Sequence, residues 1–98
     1  MDYKKIRQML VDHKKYLEGK PDGKRAVFLL YNLNGADFSG ADLRGADLAY
    51  SDFSGANFSG ADLRGAYMEG STFDRANFRG ANLEGTYRGK TTFHNAKF

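Results

Sequence analysis

His13 and His94 are the two histidines of this 98-residue chain and its most versatile acid–base groups, yet they lie at opposite ends of it. A metal site or a nucleophile–base pair needs ligands or partners at matched spacing, and neither histidine has one. His13 is expected to pack on the apolar stripe of a helix, and His94 to face outward. Cysteine is absent, so disulfides, thiolate chemistry and cysteine-based zinc sites are excluded. The carboxylates Asp37, Asp42, Asp47, Asp52 and Asp62 recur at a fixed interval. They read as parts of a repeat, facing solvent or bonding to neighbouring backbone, and not as a paired acid and base. The glycines form no phosphate-cradling loop, because every cluster of them falls into the same repeat. No catalytic, metal or cofactor residue is nominated, and an enzyme is not expected.

What positions these side chains is a period of five. From Ala36 the chain reads ADFSG ADLRG ADLAY SDFSG ANFSG ADLRG AYMEG STFDR ANFRG ANLEG TYRGK TTFHN AKF, and the frame extends back through YNLNG to AVFLL. The third place is Phe28, Leu33, Phe38, Leu43, Leu48, Phe53, Phe58, Leu63, Met68, Phe73, Phe78, Leu83, Arg88, Phe93 and Phe98. All eight phenylalanines of the protein fall there, and Arg88 is the only member that is not large and apolar. The first place holds ten Ala, two Ser, two Thr and Tyr31, and nine of the twelve glycines occupy the fifth.

A five-residue period does not suit a straight α-helix, in which steps of about 100° would scatter the third-place residues around the cylinder. It does not suit a flat strand either, because an odd spacing sends successive side chains to opposite faces. A coil that turns by a constant angle per unit satisfies it: the third place points inward, glycine supplies the corner, and small first-place residues fit beside the large ones. Such a coil buries its interior only against the coils above and below.

Units such as ADLRG, ANFSG and ANLEG resemble the consensus A(D/N)LXX of the pentapeptide-repeat family, over about three quarters of the chain. The resemblance implies an all-β solenoid, a right-handed quadrilateral parallel β-helix with four units per coil and here nearly four coils. Residues twenty apart then stack, giving interior columns Phe28–Leu48–Met68–Arg88, Leu33–Phe53–Phe73–Phe93, Phe38–Phe58–Phe78–Phe98 and Leu43–Leu63–Leu83.

Two segments follow: 1–25, a capping helix and turn, and 26–98, the β-helix. Residues 2–18 fit one amphipathic helix, with Tyr3, Ile6, Leu10, His13 and Leu17 on a stripe widened by Met9 and Tyr16. Gly19 is placed to end it and Lys20-Pro21-Asp22-Gly23 to turn the chain. Solenoids need covered ends, so the helix is expected to lie over the first coil near Phe28 and Leu33. No equivalent cap is expected at the Phe98 end. The last coil, with Arg88, Phe93 and Phe98, is the candidate end for pairing with a second copy, as in dimeric proteins of the family.

Charge divides along the same line. Residues 1–25 hold eight Lys/Arg against four Asp/Glu, and residues 26–98 seven against eight, so the net +3 is +4 in the first segment and −1 in the second. Some pentapeptide-repeat proteins bind DNA gyrase or related topoisomerases as long acidic rods that resemble duplex DNA. This repeat region is short and nearly neutral, which departs from that pattern and leaves DNA mimicry as the alternative. The expected function is a non-catalytic structural or protein-interaction module, like the short bacterial and prophage proteins that it resembles. Its partner-binding face is expected where the repeat departs most from consensus, at Tyr50, Tyr67 and Tyr87. Tyr and Arg are favoured at contact surfaces. Direct nucleic-acid binding through Lys4, Lys5, Arg7, Lys14 and Lys15 is the weakest reading. The absence of a long apolar run argues against a membrane span, and a cytoplasmic location is expected.

Overall fold

A computed structural model describes residues 2–98. Its first element is helix α1, Tyr3–Leu17. Asp2 caps it, its carboxylate accepting from the Lys5 N–H at 3.1 Å, which satisfies one of the amides left free in a first turn. At the other end Gly19 adopts φ +73°. Its N–H bonds to Tyr16 O and that of Lys20 to Lys15 O, the paired closure in which a left-handed residue ends a helix. The chain then turns back so closely that a methyl on Gly23 would lie 2.3 Å from the Tyr16 nitrogen. Only glycine permits that approach, which lets the Lys24 N–H reach Asp12 O at 3.0 Å.

From Val27 onward the chain is a β-helix solenoid. Parallel bridges join Val27 to Asp47, Asn32 to Asp52, Asp37 to Asn57, and so on to Asn77 with Lys97, each pairing residues twenty apart. One full turn therefore takes four five-residue units. The third-place N–H donates to the second-place carbonyl of the next turn, as Phe38 to Asn57 O at 2.7 Å. The second-place N–H donates back to the first place of the turn before, as Asn57 to Ala36 O at 2.9 Å. Backbone polar groups thus find partners on neighbouring turns, as burial requires.

The corner follows from the fifth place. All fourteen fifth-place residues from Leu30 to Asn95 have φ between 54° and 74°, the left-handed region in which a Cβ costs roughly 1–2 kcal/mol. Nine of them are glycine; Leu30, Tyr50, Arg75, Lys90 and Asn95 accept the strain. The second place has an equally local cause. The Asp or Asn Oδ1 accepts the N–H two residues on, as Asp37 from Ser39, Asn57 from Ser59 and Asn82 from Glu84. Short side chains with this reach favour turns, so the Asp ladder of the sequence is backbone scaffolding.

Inside, the expected columns form. Phe38, Phe58 and Phe78 stack with ring centroids 5.1 Å apart at each step, and Phe78 stacks on Phe98 at 5.3 Å. Phe53 stacks on Phe73 at 4.9 Å and Phe73 on Phe93 at 5.6 Å. Leu43, Leu48, Leu63 and Met68 are fully buried. Arg88, the one interior place without a large apolar residue, lies in the open last coil, where its charge reaches water. Its side chain is exposed, with Nε donating to Thr86 Oγ1 at 2.6 Å and Nη2 to Leu83 O at 3.2 Å. An unpaired guanidinium buried between coils would forfeit its hydration, a cost that the open last coil avoids.

Helix α1 meets this core through Ile6, which is buried, and through the partly buried Met9 and Leu10. Tyr3 and Tyr16, expected on the apolar stripe, are 52% and 46% exposed at its edges.

Candidate functional site

Four surfaces bear on function. The first is the contact between α1 and the solenoid, organised by His13. This side chain is fully buried. Its Nε2 meets Arg44 O at 2.8 Å and its Nδ1 accepts the Ala26 N–H at 3.0 Å. That pattern requires the neutral ring with the proton on Nε2. Burial therefore holds its pKa below the ordinary value of 6.5, against smaller opposing effects of the Arg44 carbonyl and the Asp42 charge. His13 is thus a structural pin between helix and repeat, as its place on the helix stripe suggests; its two backbone partners lie 13 and 31 residues away.

The second surface is the charged face of Asp42, Arg44, Asp62 and Arg64. Arg44 pairs with Asp42 at 2.7 Å and Arg64 with Asp62 at 2.6 Å, each within its own unit. Lys14 of α1 adds a longer contact to Asp42 at 3.7 Å. The Arg44 hydrogen bonds hold the Asp42 carboxyl down at about 2. These carboxylates are compensated locally and present no acidic stripe. Asp37 and Asp52 are tied to the Ser39 and Ser54 hydroxyls, each at 2.7 Å.

The third surface is the tyrosine face. Tyr67 and Tyr87, twenty residues apart, stack with centroids 4.7 Å apart and planes 5° from parallel. The Arg25 guanidinium lies 5.0 Å from the Tyr67 ring centre, a cation over an aromatic face. Its Nε donates to Gly45 O at 2.7 Å. Tyr50 sits at a corner against Gly70, where any Cβ would collide with its ring at 2.4 Å. Tyr50 and Tyr87 are 58% and 52% exposed. The structure therefore brings all three nominated tyrosines onto one side and adds Arg25, which the sequence did not single out because it precedes the repeat frame.

The fourth surface is the final coil. Phe98 is 66% exposed although it holds an interior register, Phe93 is half-buried and Arg88 is exposed. His94 lies outside, where its N–H donates to Asp74 at 3.0 Å.

One feature has no counterpart among the nominated residues. Ser51 and Ser71 are buried, and their hydroxyls take over backbone bonds at one corner. Ser71 Oγ donates to Leu48 O at 2.5 Å and accepts the Ser51 N–H at 2.9 Å. Ser51 Oγ donates to Phe28 O and accepts the Tyr31 N–H at 2.8 Å. Thr91 Oγ1 continues the column by donating to Met68 O at 2.7 Å. The recurrence of hydroxyl residues at 51, 71 and 91 was the available signal. Among the described residues no group of three or more His, Asp or Glu side chains is arranged to hold a metal, and no helix is long and apolar enough to cross a membrane.

The model of the family "Pentapeptide repeats" matches eight copies, over residues 31–60 and 51–87. No curated protein gives a match. A solved pentapeptide repeat protein from the Arabidopsis thaliana thylakoid lumen is 30% identical with a TM-score of 0.46, over 70% of this chain and 62% of that one. HetL, a pentapeptide repeat protein involved in heterocyst differentiation regulation from the cyanobacterium Nostoc, is 23% identical with a TM-score of 0.44, over 76% and 46%. The plasmid-mediated fluoroquinolone resistance protein QnrB1 is 18% identical with a TM-score of 0.26, over 68% and 53%. The chain spans less than two thirds of each of these three proteins.

Proposed function

We propose that this chain, which belongs to the pentapeptide-repeat family, is a non-catalytic protein-interaction module that binds its partner through the tyrosine face. The observation that carries the reading is the stack of Arg25, Tyr67 and Tyr87, with Tyr50 beside it. Aromatic and guanidinium groups already ordered by mutual packing lose little entropy on contact, which is what binding surfaces favour. In this reading residues 26–98 form a right-handed β-helix of nearly four coils, and residues 1–25 supply its helical cap. The twenty-residue register and the buried Ile6 and His13 support that arrangement. A second copy of the chain at Arg88, Phe93 and Phe98 is part of the proposal, because Phe98 exposes most of an apolar ring; sedimentation at micromolar concentration should show a dimer, and a strictly monomeric protein would remove it.

The alternative is modulation of DNA gyrase or a related topoisomerase by DNA mimicry. The local pairing of Asp42 with Arg44 and Asp62 with Arg64 weighs against the acidic surface that this needs. A pull-down with the native chain and with a Tyr67→Ser/Tyr87→Ser variant tests the main reading: the captured partner should be lost from the variant. Equal capture by both would overturn it. A gyrase supercoiling assay should show no effect at high excess of the protein, and inhibition or quinolone protection would favour the alternative.

A further inference from the structure

We propose that His13 is a pH-sensitive latch: protonation of its ring frees α1 from the first coil while the coils stay folded, uncovering the apolar end of the β-helix. What carries this is a bottleneck in the hydrogen bonding. Among the described residues α1 makes two hydrogen bonds to residues 26–98, and both pass through the one imidazole. Nε2 donates to Arg44 O at 2.8 Å, and Nδ1 accepts the Ala26 N–H at 3.0 Å. The rest of the contact is slight. Ile6 is buried beside Tyr31 and Leu33, Met9 and Leu10 are partly buried, Lys14 lies 3.7 Å from Asp42, and Lys5 sits over the Tyr31 ring.

The first coil does not need α1 for its own pairing. Phe28, Leu33, Phe38 and Leu43 donate their N–H groups to Asp47, Asp52, Asn57 and Asp62 of the second coil, at 2.7 or 2.8 Å. Elements with few buried contacts open first. A helix of 15 residues is marginal on its own in water, so α1 should also lose its order once undocked.

Protonation attacks both the bonding and the burial. A charged ring carries hydrogen on both nitrogens, so Nδ1–H would face the Ala26 N–H, two donors across 3.0 Å. The bond to the Arg44 carbonyl survives, but the charge then sits in a fully buried position. The surrounding groups give no rescue. Arg25 and Arg44 oppose the charge, and Asp42, which favours it, is already held by Arg44 at 2.7 Å and approached by Lys14. On α1 itself Tyr16 stacks on the imidazole at 5.7 Å, and Asp12 accepts from the Gln8 amide at 2.9 Å. Docking therefore lowers the His13 pKa from 6.5. The docked helix is at full strength above 6.5 and weakens as pH falls toward the lowered value, its opening constant rising by up to about tenfold per pH unit.

Two NMR measurements on the isotope-labelled full chain test the latch. Ring nitrogen shifts at about pH 7.5 should show neutral His13 with its proton on Nε2; a charged ring or the other tautomer would overturn the inference. Amide hydrogen exchange, corrected for its intrinsic pH dependence, should be followed between about pH 6.5 and 5, above the ordinary carboxylate range. The Ala26 amide and the α1 amides from Arg7 to Leu17 should lose protection by up to about tenfold per unit. The Phe58 and Leu63 amides should stay at least about tenfold better protected throughout. Equal protection of helix and coil amides at every pH would mean that α1 leaves only when the whole fold does, which overturns the latch. In His13→Gln the slope should vanish from α1. Ile6→Ala weakens the contact without touching the titrating group, so it should raise α1 exchange several-fold at every pH and keep the slope. A slope that survives in His13→Gln, or disappears in Ile6→Ala, would also overturn the inference. If His13→Gln does not fold, the native and Ile6→Ala profiles decide.

Discussion

Replacing Ser71 by alanine makes the chain more like its own repeat, and the structure says that it should be harmful. Alanine holds the first place in ten of fifteen units, so consensus reasoning favours the change. Ser71, however, is 1% exposed, and its hydroxyl is the partner of both Leu48 O and the Ser51 N–H. Truncation strands one acceptor and one donor in the interior, at about 1–3 kcal/mol each. The net loss should be about 2–4 kcal/mol, after allowance for partial relaxation of the corner. For a domain of this size that corresponds to a fall in Tm of roughly 10 °C or more. Circular dichroism with thermal and urea denaturation would measure it. Ser59→Ala is the control, since the Ser59 hydroxyl makes no hydrogen bond among the described residues, and it should stay within about 0.5 kcal/mol. At the alanine corners the first-place N–H reaches the third-place carbonyl directly, as Ala36 does to Leu33 O at 3.1 Å. If Ser71→Ala is as stable as the native chain, the corner has relaxed into that turn and the reasoning is wrong.

Acid should destabilise the protein in two windows. His13 is neutral in the fold with a lowered pKa, so as pH falls below 6.5 the unfolded chain binds more protons and stability declines until the folded pKa is passed. In His13→Gln, urea titrations at successive pH values should lose this slope, and its persistence would assign the effect elsewhere. Asp42, held at about 2 instead of 3.8, contributes stability that is present above 3.8 and lost as pH falls toward 2. Its partner Arg44 is 44% exposed, so screening leaves that contribution on the order of 1 kcal/mol; Asp42→Asn should reduce the slope of the lower window, which Asp37, Asp52 and Asp62, also lowered, share. Leu30 is 79% exposed at a corner with φ 60°; Leu30→Gly should stabilise the protein by about 1 kcal/mol, seen as a higher urea midpoint, and a lower midpoint would contradict the strain argument.

The solenoid could be read from the sequence because its code is local and repeated. Large residues at the third place, glycine at the fifth and Asp or Asn at the second each answer a constraint that acts within a few residues, and in-frame repetition multiplies the signal. The columns of Phe38, Phe58 and Phe78 follow once four units make a turn. The tyrosine face was readable for the same reason, since Tyr67 and Tyr87 share a register. What the tertiary structure alone decided depends on particular side chains meeting across turns. Arg88 settles on Thr86 Oγ1 and Leu83 O. His13 joins Arg44 and Ala26, and Ser71 joins Leu48, through bonds whose partners lie 13 to 31 residues away. Arg25 reaches Tyr67 from outside the repeat, and Glu69 is left with a buried oxygen that nothing satisfies. A five-residue period specifies which way each side chain points, because backbone geometry recurs from unit to unit. It does not specify which polar atoms find partners, because that is settled by the shapes of unlike residues brought together only when the coils stack.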